Sequence, residues 1–343
     1  MKKFVYTLVC FISAALFFVS CATSVPVTVT KPAEVNMASM RRIAVADFTV
    51  NRERRDIDVG DIIEEALDEL FGLAIGEIAI EREVAEYTTQ RFIVTLVRTN
   101  YFQVIGPNEI LSTFQETSAS ADVQDIRDEL GAQALVSGDI YLMYFEDRES
   151  TVTDKITDPD AGVIGEITSL VITRKAWLGL SYYVANTENG MLVASRGFES
   201  SLQAEQKAEN AELLPEPEDM YKEIVDSFMP QVARQLAPYT VRETRKLMKY
   251  RGKDQRMDQA KQYAKGGVYD RALELYLEVW DASRNTAAGY NGAIMYEVTG
   301  DIDAAVTLMK QVVNLSPEKK VIREYNRLLQ VKEEQERLIE QLE

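Results

Sequence analysis

Apolar residues between positions 41 and 238 follow strand-like and helix-like patterns in turn. A mostly apolar run at Ile43–Phe48 predicts a buried strand, and helical spacing predicts helices over residues 62–71 and 84–97. The apolar face of the second helix comprises Val84, Tyr87, Phe92, Leu96 and Val97. Short strands at 101–105 and 134–145 alternate with helices near 107–115 and 122–130. The order of these elements predicts an α/β domain with a mixed sheet.

Two long strand-like runs complete this pattern. They cover Ile167–Ala185 and Met191–Leu202, and Asn189–Gly190 between them is typical of a tight hairpin. The preceding segment Thr153–Asp160 is polar and predicts a loop. An amphipathic helix then ends the domain before Pro238, with an apolar stripe of Tyr221, Ile224, Val225, Phe228, Val232 and Leu236.

The C-terminal region contains an internal repeat with a period of 33 residues. Six positions of the first copy, Ala260, Tyr263, Gly267, Ala272, Tyr276 and Val279, match Ala293, Tyr296, Gly300, Ala305, Met309 and Val312. This spacing resembles the tetratricopeptide repeat (TPR), a helix-turn-helix unit of about 34 residues. In such a unit small residues let two helices cross closely, and glycine makes the turn. Two unrelated helical hairpins are the alternative.

Two repeats are fewer than the about three that usually bury a continuous core. We therefore expect flanking helices at Val241–Arg251 and Val321–Glu343 to cap the two ends of the stack. Repeats of this kind generally present a surface that binds peptides or partner proteins. The expected packing positions are Ala260, Tyr263, Gly267, Ala272, Tyr276, Ala293, Tyr296, Gly300, Ala305 and Met309.

The first 20 residues have the layout of a secretory signal, since two lysines precede an apolar run, Phe4–Val19, that is shorter than a spanning helix. Phe18-Val19-Ser20-Cys21 resembles a bacterial lipobox, although Phe18 stands where Leu is usual. The resemblance implies that Cys21 is acylated and becomes the new amino terminus. Acylation also accounts for a cysteine that has no disulfide partner once Cys10 has left with the signal. An ordinary secretory signal or an uncleaved anchor is the alternative.

Residues 22–40 are rich in Thr, Ser, Val and Pro, which predicts an extended tether between the lipid and the first domain. Ala22 stands where an Asp would retain an enterobacterial lipoprotein in the inner membrane, so the outer membrane is favoured. The sequence thus predicts a signal peptide at 1–20, a tether at 21–40, an α/β domain at 41–238 and helical repeats with a terminal capping helix at 239–343.

Three segments of the α/β domain resemble the CsgG-like family of lipoproteins. They are Arg42–Phe48, Thr99–Ile105 and Leu130–Ile140, in this order along the chain. The resemblance covers about residues 41–238 and extends to the TolB amino-terminal domain and to LpoB-type activators of peptidoglycan synthases. Residues 72–90 are longer than the family's first helix requires. They are also too densely charged for a lipid-facing strand, and the segment 147–165 is too polar for one.

Charge and composition argue against several classes of function. The net charge is −17, and −19 without the two signal lysines, which argues against non-specific binding to nucleic acid. Such an acidic protein is also expected to stand off an anionic membrane. The chain has no His, which excludes Ser-His-Asp catalysis and His-based zinc sites. Because nucleotide-binding and CxxC motifs are absent too, we expect no enzyme activity, no cofactor and no metal.

Together these patterns predict a lipoprotein of the outer membrane, facing the periplasm, that binds other envelope proteins as an adaptor or scaffold. Its partners would bind the repeat surface, and the α/β domain could form a homo-oligomer. Two alternatives follow from the family resemblance: a CsgG-type oligomeric outer-membrane export component, or an activator of a peptidoglycan synthase.

Overall fold

The computed structural model describes residues 23–51, 79–114, 123–158 and 162–343. They divide into two compact units. The sheet unit comprises Pro32–Tyr239 with Glu340–Glu343, and the described part of the helical unit comprises residues 23–31 and Thr240–Ile339. A mixed α/β region is therefore followed along the chain by a helical region, as predicted. The predicted signal peptide, Cys21 and the predicted helix at 62–71 lie outside the described residues.

The sheet unit is built on a five-stranded sheet of order β3-β2-β4-β5-β6. The strands are β2 (Arg42–Val50), β3 (Gln103–Ile105), β4 (Ala134–Asp158), β5 (Gly162–Asn186) and β6 (Leu192–Lys207). Strand β2 pairs in parallel with β3 and β4, whereas β4, β5 and β6 pair antiparallel. The predicted mixed sheet is confirmed.

Helices cover both faces of the sheet where its strands are parallel. They are α1 (Ala79–Arg98), α2 (Pro107–Phe114), α3 (Val123–Leu130) and α4 (Pro217–Leu236). Ile43 and Val45 of β2 lie in an apolar cluster with α1 and α4, and Ala44 and Ala46 lie in a second cluster with α2 and α3. An apolar run is expected of a parallel strand that is buried on both faces.

The β4–β5 hairpin is much longer than the sequence predicts. The predicted strand at 134–145 is confirmed but continues to Asp158, and most of the predicted loop Thr153–Asp160 is strand, so the predicted end of the strand and the loop are wrong. Polar side chains on both faces of these residues conceal the period of two that identifies a strand. The predicted turn between β5 and β6 is confirmed at 187–191, where Gly190 has a φ of 67°.

The helical unit contains two helical hairpins and a long final helix. The helices are α5 (Gln255–Lys265), α6 (Tyr269–Ser283), α7 (Thr286–Thr299), α8 (Ile302–Leu315) and α9 (Lys319–Leu342). Side-chain caps from Asp254, Asn285 and Asp301 begin three of them by accepting backbone N–H groups. The turns at Gly267 and Gly300 use positive φ angles of 80° and 94°, which favour glycine.

A two-stranded ribbon completes the helical unit, and it corrects two predictions. Strand β1 (Ser24–Lys31) pairs with β7 (Tyr239–Lys246). Residues 24–31 are therefore an ordered strand rather than a tether, and the predicted helix over Val241–Arg251 is wrong because Thr240–Lys246 is extended. The predicted helix at Val321–Glu343 agrees with α9. The bond from the Leu247 backbone N–H to the Thr23 carbonyl, 2.8 Å, closes one end of the ribbon.

Candidate functional site

The predicted repeat positions occupy equivalent places in the two helical hairpins. Six of them are buried in the apolar core of the helical unit: Ala260, Ala272, Tyr276, Ala293, Ala305 and Met309. Gly267 and Gly300 form the turns. Tyr263 is 41% exposed and Tyr296 is half-buried, so these two side chains lie at the edge of the core rather than within it.

A buried carboxylate joins the ribbon to the helices. Glu297 of α7 has a side chain that is only 1% exposed, and it accepts hydrogen bonds from Arg245 of β7 at 2.8 Å and from Arg327 of α9 at 2.7 Å. Burial alone would lower the pKa of Arg327, but its bonds to Glu297 and Glu324 raise it above the ordinary value. The ion-paired cluster connects three segments that are distant in sequence.

The ribbon covers part of the surface that the repeats would otherwise offer to a partner. Val25 of β1 lies in the apolar core of the unit, and Lys31 binds Glu243 at 3.1 Å. A cavity of about 220 Å³ remains between β1 and the helices, lined by Val27 and Val29 on one side and by Ile302 and Leu338 among others on the opposite side. Any peptide bound here would share this surface with the protein's own strand.

The outer part of the β4–β5 hairpin forms an arm, residues 144–158 paired with 162–177. At about 3.3 Å per residue the arm is about 50 Å long. Its exposed large apolar side chains, each at least 40% accessible, are Tyr144, Phe145, Val152, Ile167 and Leu170. Among the described residues no strand pairs with β4 beyond Ile140, so one edge of the arm carries no paired neighbour there.

Side-chain pairs stiffen the base of the arm. Arg174 binds both carboxylate oxygens of Asp147 at 2.8 Å, and its third nitrogen donates to the Pro215 carbonyl at 2.9 Å. The guanidinium hydrogen bonds lower the pKa of Asp147 below its ordinary value. On the other face of the hairpin Tyr144 stacks on Trp177, with ring centroids 5.5 Å apart. The arm is thus fixed to the sheet as a continuous structure.

A cleft of about 500 Å³ lies beside an irregularity in β2. The pairing of β2 with β4 shifts register between Val45 and Phe48, and Asp47 lies in this bulge rather than at a strand end. Burial and the nearby carboxylate of Glu86 raise the pKa of Asp47. Glu86 is bound by Arg82 at 3.1 Å, so the cleft contains an acidic pair with one cation. Its one threonine, Thr89, donates its hydroxyl to the Ala85 carbonyl at 3.1 Å rather than to a carboxylate.

A second, smaller cleft of about 380 Å³ lies between α1 and α4. Asp226 accepts hydrogen bonds there from Arg91 at 2.5 Å and from the Tyr87 hydroxyl at 3.1 Å. Burial and the bond to Asp226 raise the pKa of Tyr87. These contacts join the two helices that cover one face of the sheet, so their role is packing.

The described residues contain no group of three or more Cys, Asp or Glu side chains arranged to hold a metal ion. Their helices also lack the combination of length and apolar character that crossing a membrane requires. Cys21 lies outside these residues, so its predicted acylation stays a prediction.

Sequence patterns missed the ribbon and its buried carboxylate. In Ser24–Lys31 the residues Val25, Val27 and Val29 alternate with polar residues, and this period of two is the signal of a half-buried strand. Arg245 and Glu297 carry no local signal, because a charged residue becomes buried only where distant segments supply its partner.

Comparisons with known proteins cover parts of the chain. A family model described as a domain of unknown function (DUF6340) matches residues 258–336, which lie in the helical unit. No curated protein matches the chain significantly.

Two solved structures resemble part of the chain at low identity. The PelC dodecamer from Paraburkholderia phytofirmans is 12% identical, with 62% of this chain and 97% of that chain covered and a TM-score of 0.27. Lipoprotein GNA1162 from Neisseria meningitidis is 10% identical, with 56% and 97% covered and a TM-score of 0.24. Neither similarity is close enough to support a functional assignment.

Proposed function

We propose that the protein is a lipoprotein, anchored through Cys21, that binds other proteins of the cell envelope as an adaptor or scaffold. The lipobox-like pattern before Cys21 supports the anchor, and the 33-residue repeat supports a TPR-like binding unit. The arm is the observation that carries the binding role. It presents five large apolar side chains to solvent on a stiff hairpin, and apolar groups exposed in this way mark protein interaction sites.

The geometry of the arm favours an extended partner segment. Beyond Ile140 no described strand pairs with β4, so among the described residues this edge leaves backbone N–H and C=O groups for an added strand. Val152 and Leu170 lie on opposite faces of the hairpin, since Val152 pairs with Ser169 and Thr151 pairs with Leu170. A partner that adds a strand at this edge would contact apolar side chains on both faces.

The clefts favour binding over catalysis. In the Arg91–Asp226 cleft the carboxylate is already ion-paired. A chain without His would need another base to activate a nucleophile. The hydroxyl in the Asp47 cleft, Thr89, instead donates to the Ala85 carbonyl and accepts from the Phe48 N–H. We therefore propose an adaptor rather than an enzyme.

The anchor is tested by membrane fractionation of the full chain. Cys21→Ala is expected to move the protein from the membrane fraction to the soluble periplasmic fraction or to block its processing, and to abolish labelling by radioactive palmitate. Cys10→Ala is the matched control, because Cys10 lies in the predicted signal and should change neither result. Retained palmitate labelling in Cys21→Ala would contradict the proposed anchor.

The binding role is tested by a photo-crosslinking amino acid placed at Leu170 on the arm. Met191 is the control, since it is equally apolar and 65% exposed but lies in the β5–β6 turn. Specific protein crosslinks from position 170 and none from position 191 are expected. Light scattering of the detergent-extracted protein then separates two cases: a ring of many subunits supports the oligomeric export alternative, and a monomer or dimer supports the adaptor.

A further inference from the structure

One segment of the helical unit has a charge opposite to that of the whole chain. Residues 242–265 contain nine Lys and Arg against three Asp and Glu, a net charge of +6 in a chain of net charge −17. The excess is concentrated in residues 246–253, which include Lys246, Lys249, Arg251 and Lys253 and no acidic residue. We name residues 246–253 the basic segment.

The four cations of the basic segment point into solvent. All four residues are exposed, and none forms an ion pair with any described residue. The acidic residues on either side are already paired: Glu243 binds Arg245 at 2.7 Å, and Asp254 binds Arg256 at 2.7 Å. The positive charge of the segment is therefore not neutralised by its neighbours in sequence.

The backbone of the basic segment is held in place by the helices. Asn291 of α7 accepts from the Met248 N–H at 2.6 Å and donates to the Met248 carbonyl at 3.0 Å. The hydroxyl of Tyr250 accepts from the Asp254 N–H at 3.2 Å. Because the backbone is fixed in this way, little backbone entropy is lost when the segment binds a surface.

The basic segment begins where the chain leaves its predicted lipid anchor. The Leu247 N–H donates to the Thr23 carbonyl at 2.8 Å, and Thr23 is two residues after Cys21. Two residues of extended chain span at most about 7 Å. This distance is shorter than the Debye length of about 8 Å at physiological ionic strength, so the start of the basic segment, where Leu247 binds Thr23, lies close to the predicted anchor.

We infer that the basic segment binds the anionic phospholipid headgroups of the membrane that carries the Cys21 anchor. Because the anchor is part of the proposed function, the placement of the segment at the membrane rests on that function. The lipid and the cations act as two linked contacts with the membrane. The contact made by the cations orients the helical unit on the membrane surface. The expectation that the acidic chain stands off the membrane then holds for the rest of the protein but not for this segment.

The test measures binding to vesicles without the acyl group. A chain that begins at Ala22 keeps every residue that the structure describes, and its partition is compared between phosphatidylglycerol and phosphatidylcholine vesicles by co-sedimentation. Each cation near an anionic surface contributes about fivefold to the partition. We expect binding to phosphatidylglycerol alone, and loss of that binding when salt shortens the Debye length to about 3 Å at about 1 M.

A pair of triple variants assigns the binding to the segment. Lys249→Gln with Arg251→Gln and Lys253→Gln should weaken binding to phosphatidylglycerol on the order of 100-fold. The control replaces Lys310, Lys319 and Arg337 by Gln, which removes the same charge from exposed positions of the same unit. The control is expected to bind like the unmodified chain, and circular dichroism verifies that both variants are folded.

Two results would overturn the inference: no preference for phosphatidylglycerol over phosphatidylcholine, or an equal loss of binding in both triple variants. The chain that begins at Ala22 has no acyl group, so its vesicle binding does not depend on the anchor. A failure of the vesicle test can therefore be distinguished from a failure of the Cys21→Ala fractionation.

Discussion

The helical unit and the sheet unit each bury a group of hydrogen-bonded polar side chains, and the two groups differ in charge. In the helical unit a charged carboxylate, Glu297, is enclosed by Arg245 and Arg327. In the sheet unit one buried pair is neutral: the Tyr182 hydroxyl donates to the Gln235 side chain at 2.7 Å. Burial of a charge is expensive unless it is fully paired, whereas burial of a neutral hydrogen-bonded pair is cheap. The helical unit should therefore be far more sensitive to loss of one polar partner.

The chain offers one fluorescent reporter for each unit. It has two tryptophans, Trp177 in the sheet unit and Trp280 in the helical unit. Trp177→Phe leaves fluorescence that reports on the helical unit, and Trp280→Phe leaves fluorescence that reports on the sheet unit. Urea unfolding followed in these two backgrounds measures the free energy of unfolding of each unit.

The largest effect is expected at Glu297. Glu297→Ala leaves Arg245 and Arg327 without their shared carboxylate, and breaking a buried ion pair in this way costs about 3–5 kcal/mol. The free energy of unfolding reported by Trp280 should fall by this amount, while the value reported by Trp177 stays unchanged.

The control for this prediction is Glu333→Ala, which removes an exposed carboxylate from α9 and should have no measurable effect. Replacing Glu297, Arg245 and Arg327 together by Leu removes the whole charged cluster. This triple variant should be more stable than Glu297→Ala. A triple variant as unstable as the single one would mean that shape rather than charge holds the ribbon against the helices.

The two units can also be compared at two glycines, Gly138 in the sheet unit and Gly289 in the helical unit, where a side chain would meet a close neighbour. A Cβ at Gly138 would lie 2.1 Å from the Phe48 ring and 2.6 Å from the Ser181 carbonyl oxygen. A Cβ at Gly289 would lie 2.5 Å from the Trp280 ring. Gly138→Ala should cost about 2–3 kcal/mol by overpacking. Gly289→Ala should cost about 1 kcal/mol less than Gly138→Ala, because Ala has a higher helix propensity than Gly.

Gly197→Ala is the control for both, since its nearest neighbour would be the Ser181 hydroxyl at 3.4 Å. It should change the free energy of unfolding only slightly in the sheet unit. If all three substitutions had equal effects, close approach would not explain the two large ones.

Local patterns predicted the elements whose apolar residues recur at a regular spacing or form a continuous run. The 33-residue period placed the two helical hairpins, and the run at Ile43–Phe48 placed a strand that is buried on both faces. The same reasoning failed for the arm. Residues 147–155 are exposed and carry polar groups on both faces, and a strand exposed on both faces has no hydrophobic period.

Long-range pairing explains what the sequence could not predict about the candidate site. Strand β1 pairs with β7 more than 200 residues later, and Thr30 contacts Thr240 at 3.4 Å between their hydroxyl oxygens. Without β1 as a partner, Val241–Arg251 had no feature that excluded a helix. The exposed basic segment was visible as a run of Lys and Arg, but its closeness to Cys21 depends on the bond between Leu247 and Thr23.

Two buried tyrosines give a smaller contrast between the units. Tyr182 donates to Gln235, whereas the Tyr276 hydroxyl has no hydrogen-bond partner among the described residues. Tyr182→Phe leaves the buried Gln235 oxygen without a donor and should cost about 1–2 kcal/mol. Tyr276→Phe removes an unpaired hydroxyl and should leave the stability unchanged or raise it. Tyr144→Phe, at an exposed ring on the arm, is the control.

The smallest effects concern two carboxylates of the sheet unit whose pKa values shift in opposite directions. Burial raises the pKa of Asp47, so its charged form is disfavoured in the folded state. The free energy of unfolding should therefore fall as the pH rises from 3.8 through the raised pKa. Asp47→Asn removes this penalty, and at neutral pH it should raise stability by no more than about 0.5 kcal/mol.

Asp147 should behave in the opposite way. Its hydrogen bonds from Arg174 lower its pKa, so their contribution is present above pH 3.8 and is lost as the pH falls through the lowered pKa. Asp147→Asn should cost about 0.5 kcal/mol at neutral pH, as expected of a mostly exposed pair, and less below pH 3.8. Unfolding curves of both variants at several pH values measure the two slopes. Slopes of the same sign would show that Asp47 is paired with a cation in the folded protein, contrary to the raised pKa that burial gives it.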